Sequence, residues 1–262
     1  MVASPFYSNA EAAVGVQLVA LSGLLLSQPS RAPDGARIGR SRVVIAGAIG
    51  TLGVLLAARA QAASILVLLV VVVIALSLSG NGPTSRRRAL GFGLGITAAA
   101  ALAVFVLGGL PSWPAWLRRS ESLSHARQEL WDDALALWRE HPVLGGGPGS
   151  FYEYSEISRS ADHLYAAHSS ILQVAAELGA IGVLLFLAVL VSGALVATQG
   201  NPIRGMIGVT AWCALAVHSM IDHLYEFPLV CLLAGLVIGW AGSRVHGDGS
   251  ECYGESVERP AT

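Results

Sequence analysis

The chain has 262 residues, of which 54% are hydrophobic and only 13% charged, with a mean hydropathy of +0.62 and a formal net charge of −1. Soluble domains carry about 25% charged residues, so a soluble fold, a disordered chain, a collagen-like chain and a strong nucleic-acid binder are all excluded, and a membrane protein remains. Every basic residue is Arg, and the three cysteines, Cys213, Cys231 and Cys252, are too few for a disulfide framework and read as packing residues or bystanders.

In chain order, apolar runs approaching the roughly 20 residues that span a bilayer cover Ala12 to Gln28, Val43 to Ala58, Ala60 to Ser79, Ala89 to Leu110, Ser169 to Thr198, Gly205 to Ile221 and Leu224 to Gly242. The second and third are separated by Arg59 and its polar neighbour Gln61. One helix through both runs would be about twice the hydrocarbon thickness, so two spans with a tight turn are expected.

The arginines set the orientation. Arg31, Arg37, Arg40 and Arg42 fill one short connection, Arg86, Arg87 and Arg88 another, and Arg204 a third, and the positive-inside rule makes all three cytoplasmic. The N-terminus, Arg59, the stretch from Pro111 to His168 and the turn at Asp222 and His223 then share the outer face. That stretch sets Arg118, Arg119, Arg127, Arg139 and Arg159 against eight carboxylates, which suits a non-cytoplasmic location.

Within it, Leu123, Arg127, Leu130, Trp131, Ala134, Leu135 and Trp138 recur at helical spacing. Ser120 is placed as N-cap and Pro142 closes the run, which predicts an amphipathic helix at the outer interface. Gly145, Gly146, Gly147 and Gly149 around Pro148 read as a tight turn. They lack the preceding strand and the following Lys of a phosphate loop.

The expected fold is an all-α polytopic membrane protein of about seven spans. Four first membrane helices lie in 1–110, an outer-face loop with its amphipathic helix in 111–168, three last membrane helices in 169–242, and a polar, disordered cytoplasmic tail in 243–262. Met1 to Ala10 has no basic leader although this end is placed outside, so the chain is expected to be the later part of a longer protein.

Charged groups at membrane depth are costly, which makes each of them a candidate for function. Arg59, at the outer rim, is either a forked ligand for a phosphate or diphosphate or a snorkelling anchor. Arg127, on the apolar face of the amphipathic helix, either binds a ligand or pairs with a carboxylate of its own loop. His168, at the water boundary, suits a general base or a hydrogen-bond acceptor for a hydroxyl.

Glu177 lies nine residues further along on roughly the opposite face, so it is expected to pair with a neighbouring helix rather than assist His168. His218 and Asp222 are four apart and are expected to share a helix face, with His223 and Glu226 close by. His163, His168, His218, Asp222 and His223 match no zinc spacing, so no metal and no cofactor is expected. The residues alone leave an enzyme, a transporter, a lipid-binding scaffold and a metallohydrolase open, acting on an anionic lipid-linked substrate.

Several blocks carry a resemblance: Arg127, then LWDDALALWREHPVLGGGPGSF from Leu130 to Phe151, then AAHSSILQVAAELGAIG from Ala166 to Gly182. In order and spacing they are similar to the O-antigen ligase and Wzy-type polymerase family. ARAQAASILVLLV from Ala58, HSMIDHLYEFP from His218 and SPFYSNAEAA near the N-terminus resemble further family stretches more loosely. Ala58 replaces the family's usual Ser before Arg59, and Ser169 its usual Asn after His168.

The resemblance implies a glycosyltransferase of the bacterial plasma membrane with its site on the outer face. It would move a glycan from a polyprenyl-diphosphate carrier to a hydroxyl of a glycan, lipid or protein acceptor, without metal or nucleotide sugar. Arg59 and Arg127 would hold the diphosphate, and His168 would orient or deprotonate the acceptor. Glu177, His218 and Asp222 would support them. A non-catalytic scaffold or carrier for lipid-linked glycan, or an inactive fragment, stands as the alternative.

Overall fold

A computed structural model of the chain describes residues 7–28, 35–80, 85–114, 125–161 and 164–243. Arg31, the side chain of Arg37, Arg118, Arg119, Ser120, Leu123, Asp162, His163, Cys252, the start of the SPFYSNAEAA block and the tail beyond Ser243 lie outside them.

The described residues form helices and turns without strands. They are α1 (Ser8–Leu26), α2 (Gly35–Ala57), α3 (Gln61–Leu78), α4 (Arg86–Gly108), α5 (His125–Glu140), α6 (Ser150–Tyr154), α7 (Glu156–Ser160), α8 (Ser170–Ala197), α9 (Pro202–Met220), a 3-10 turn (Leu224–Glu226) and α10 (Pro228–Gly242). The protein is thus an all-helical polytopic membrane protein.

Six of these helices, α1 to α4, α8 and α9, are long and apolar enough to cross a membrane. The seventh expected span is shorter than its apolar run, because Leu224–Glu226 is taken up by the 3-10 turn and Pro228, which has no N–H to donate, opens α10. At 15 residues α10 reaches about 22 Å of the roughly 30 Å hydrocarbon core.

The helices are not equivalent. In α9 most of the spanning window is buried, as it is in α1, whereas α2, α3 and α4 present Leu55, Ile65, Leu68 and Leu102 on open faces. Lipid tails can cover such faces, so the bundle is built around a central pair with the other spans outside it. Where α1 crosses α2, a Cβ on Gly15 would stand 2.4 Å from the carbonyl oxygen of Gly53, so only glycine permits this approach.

The two ends of the bundle carry different polar residues. At one end Arg42 donates to the Gln28 carbonyl at 2.6 Å, Arg86 to Thr198 at 3.1 Å and Arg204 to the Ser243 carbonyl at 3.1 Å. At the other end lie the turn at 58–60, α5, the start of α8 and the loop after α9. The run from Val43 to Ser79 is two helices, broken between Ala57 and Gln61.

The amphipathic helix is α5, and Arg127, Leu130, Trp131, Ala134 and Leu135 form its buried face as expected. This face packs on α8 and α4, with Trp131 edge-on to Trp113 at 4.9 Å.

After α5 the chain docks into a break in α8. Gly179 has φ 62 and ψ −160, which interrupts the hydrogen bonding of an otherwise continuous apolar helix. The groups freed by the break find partners in the preceding segment. The N–H of Ala180 donates to Pro142 at 2.9 Å, that of Ile181 to Val143 at 3.3 Å, and those of Gly146 and Gly147 donate to the carbonyls of Ala176 and Glu177 at 2.9 Å each. Gly145 has φ 73, and a Cβ there would lie 2.2 Å from the Glu177 backbone, so the turn fits only as glycine.

Candidate functional site

Asp222 is the centre of the site. The α9 helix stops at Met220, where Ile221 donates its N–H back to the His218 carbonyl, so Asp222 leaves the helix and turns into the loop. The expectation that His218 and Asp222 share a helix face therefore fails, because the helix ends between them. The Asp222 carbonyl accepts the N–H of Ser170 at 3.1 Å and its hydroxyl at 3.0 Å, which ties this loop to the start of α8.

The carboxylate is 1% exposed and surrounded by donors. Its Oδ1 accepts the N–H of His223 at 2.8 Å and the Tyr7 hydroxyl at 2.9 Å, with the Nδ1 atoms of His223 and His168 at 2.9 and 3.4 Å. Its Oδ2 accepts Tyr7 at 2.8 Å and the Asn9 amide at 2.5 Å, and the Arg127 guanidinium lies 3.6 Å away. Burial alone raises a carboxyl, but the hydrogen bonds from His168 and His223, with the charge of Arg127, outweigh it and hold Asp222 well below the usual carboxylate range.

His168 reaches this centre by a strained route. Its φ of 49 is the one positive value among the described non-glycine residues. The backbone around it is secured on both sides: Ser169 caps α8, accepting from the Leu172 N–H, and Gln173 accepts the N–H of Ala167 at 2.8 Å. Burial lowers the pKa of His168 despite the pull of Asp222, and Arg127 and His223 push the same way, so the ring is a base rather than a cation at neutral pH.

Arg127 donates to the Ile221 carbonyl at 2.6 Å. Its acidic partner is Asp222, from the far end of the sequence, and not a carboxylate of its own loop as the second reading of Arg127 had it. Tyr7 stacks on Phe227 with centroids 5.3 Å apart, and His168 meets His223 edge-on at 4.7 Å. The Tyr7 hydroxyl is pushed up in pKa by burial and then by the charge of Asp222, so it stays protonated and donates.

Of the residues singled out from sequence, Arg127, His168 and Asp222 come together here, with His218 buried in the last turn of α9. Arg59 stands apart, ion-paired with Glu11, one turn into α1 from Tyr7. Glu177 also stands apart. It accepts from Gln173 at 2.8 Å and from the backbone N–H groups of Gly149 and Phe151, so its partner is the start of α6 and the glycine turn.

Sequence reasoning did not assign Tyr7 or Asn9 to the site, and it placed His223 only near it. The signal was a polar pair at the very start of an apolar helix, in a block that already resembled a family stretch.

His168, Asp222 and His223 offer ligand atoms within 4.8 Å of one another. Both oxygens of Asp222 already accept hydrogen bonds, and a guanidinium stands beside them, so the donor set fits a charge network better than a cation site.

The described residues thus form a helical membrane bundle that gathers a buried arginine, histidine and carboxylate at one end. The family model described as O-antigen ligase matches residues 38–187, more than half of the chain, and the chain belongs to that family of membrane glycan-transferring proteins. The matched segment contains Arg59, Arg127, His168 and Glu177, while Tyr7, Asn9, His218, Asp222 and His223 lie beyond it. A comparison with curated proteins finds no match.

Proposed function

We propose that the protein transfers a glycan from a polyprenyl-diphosphate carrier to an acceptor hydroxyl at the outer face of a bacterial plasma membrane, as a ligase or a polymerase. The observation that carries this reading is the convergence of Arg127, His168 and Asp222, from three separate elements, at one end of the bundle. No metal and no nucleotide take part in it.

The acceptor oxygen attacks the anomeric carbon as the bond from that carbon to the diphosphate oxygen breaks. His168 takes the acceptor proton through Nε2 while Asp222 holds the ring from the Nδ1 side, the division of labour between a base and its orienting carboxylate. Arg127 faces the charge that grows on the departing diphosphate, and Arg59, more than half exposed, meets the same anion at the rim. His218 supports the loop that carries Asp222, and Glu177 shapes the glycine turn. Glycan, lipid and protein hydroxyls all fit this chemistry as acceptors.

The test is transfer by purified protein in lipid, supplied with polyprenyl-diphosphate-linked glycan and acceptor. Arg127→Ala and His168→Ala are expected to abolish new glycosidic bonds while the protein stays in the membrane at normal levels. Wild-type protein that binds the donor but forms no bond would establish a carrier instead, and full activity in both variants would end the assignment.

A further inference from the structure

We infer that Tyr7 and Asn9 are positioning residues of the transfer site, holding the Asp222 carboxylate in the one orientation from which it fixes His168. The inference rests on the function proposed above, and it concerns residues outside the segment that the family model matches.

The geometry makes the argument. A carboxylate on a loop can rotate about its last bond, and Asp222 sits on a loop just beyond α9. Its partners Arg127 and His168 stand at 3.6 and 3.4 Å, long contacts that restrain that rotation only weakly. The short contacts come from its own neighbour His223 and from the start of α1: Tyr7 at 2.9 and 2.8 Å and Asn9 at 2.5 Å. Asn9 also donates to the Tyr7 hydroxyl at 3.2 Å, so the two act as one unit.

Tyr7 is itself held in place. Its ring lies flat on Phe227, with 8° between the planes, and 5.2 Å from the ring of His223. The hydroxyl therefore stays against the carboxylate and beside His168, whose Nδ1 is 3.4 Å away. A hydrogen bond donated by Tyr7 draws off part of the carboxylate's charge, and that charge is what His168 feels.

The bland alternative is that Tyr7 and Asn9 only tie α1 to the loop. The two readings differ in what happens to His168. Among the described residues, the charged and titratable groups facing it include Asp222 and His223 from the loop after α9, Arg127 from α5 and the Tyr7 phenol ahead of α1. Removing the Tyr7 hydroxyl changes only the last of these and returns negative charge to Asp222. Protonated His168 is then favoured, so its titration moves to higher pH.

The deciding variant is Tyr7→Phe, which keeps the stack on Phe227. In histidine-labelled protein in lipid nanodiscs, with the signal assigned through His168→Gln, the His168 resonance should titrate about half a pH unit or more above wild type. In the transfer assay kcat should fall about tenfold, the effect of one charge-assisted hydrogen bond, with KM for the lipid-linked donor nearly unchanged and the acid limb moved to higher pH. A folded variant whose His168 titrates as in wild type overturns the inference, whatever its rate. Should Tyr7→Phe fail to fold, Asn9→Leu, read in the same way, takes its place. The titration needs no turnover, so wild-type protein inactive in transfer defeats the function proposal alone, and the positioning role is still decided.

Discussion

Replacing Asp222 by Asn tests the core of the reasoning because the change is nearly isosteric, yet no orientation of the amide is tolerated. If the new NH2 takes the Oδ1 position it faces the His223 N–H, now 2.8 Å away; in the Oδ2 position it faces the Asn9 amide at 2.5 Å. Either way a donor is turned against a donor, and Arg127, with 9% of its side chain exposed, loses its counter-charge. Breaking a buried ion pair from one side costs about 3–5 kcal/mol, most of it from the charge left behind. For a domain of this size that is a fall in Tm of about 6–20 °C. The assay is thermal unfolding of purified protein in detergent, followed by loss of helical signal. The double variant Arg127→Met with Asp222→Asn removes both charges and should recover part of the loss, the share that comes from the unpaired guanidinium. An Asp222→Asn protein within about 2 °C of wild type would refute the view that this carboxylate is the hub of a buried network.

Other consequences follow from the same geometry. Gly145→Ala puts a Cβ against the Glu177 backbone as well as straining a φ of 73, whereas Gly147→Ala, with φ 101 and open space around it, carries the strain alone. The first should destabilise by about 1–3 kcal/mol more than the second in parallel unfolding measurements. Glu177→Gln weakens the cap on Gly149 and Phe151 and should cost about 1 kcal/mol of stability with unchanged KM for the donor, since Glu177 stands apart from the Asp222 cluster. Because burial lowers the folded pKa of His168, transfer should be flat near neutrality and fall only below pH 6.5, in a pH–rate profile of kcat. The stability linked to His168 has the same sign: it is fully present above the unfolded value and is lost as pH falls through the folded one, with Asp222 adding a second loss further down, below 3.8.

Six of the seven expected spans were legible in the sequence because hydropathy is an additive property of local runs. The buried face of α5 was legible for the same reason, since Leu130, Trp131, Ala134 and Leu135 carry the helical period by themselves. What local pattern cannot show is a break filled from elsewhere. Nothing in the apolar run around Gly179 marks it as the point where α8 opens, because the signal lies in its partners, Pro142 to Gly147. Arg127 and His168 stood out as charges in unusual places, and their convergence could be expected. The central role of Asp222 could not, since it depends on α9 ending at Met220 and on donors from the opposite end of the chain. The same distance hid Tyr7, an ordinary aromatic residue until its hydroxyl is seen against the carboxylate.

The site is assembled from two units that are stiff for different reasons. One lies mostly within the family-matched segment. There α5 and α8 are clamped by the strap 142–147, which fills the break at Gly179 and fixes the distance between Arg127 on one helix and His168 at the start of the other. The other is the central pair α1 and α9, buried along most of their length, which carries Tyr7 and Asn9 at one helix start and Asp222 just past the other helix end. Neither unit holds a complete site. Arg127 and His168 without Asp222 are two like-charged groups in a buried place whenever the imidazole is protonated, and Asp222 without them is a buried carboxylate with no counter-charge, so each unit bears a desolvation cost that only docking against the other relieves. That reciprocity explains why the polar residues of an otherwise apolar chain concentrate at one interface. It also means that substitutions at this interface, wherever they fall in the sequence, should couple strongly in double-mutant cycles, while those on the open faces of α2 and α3 should add independently.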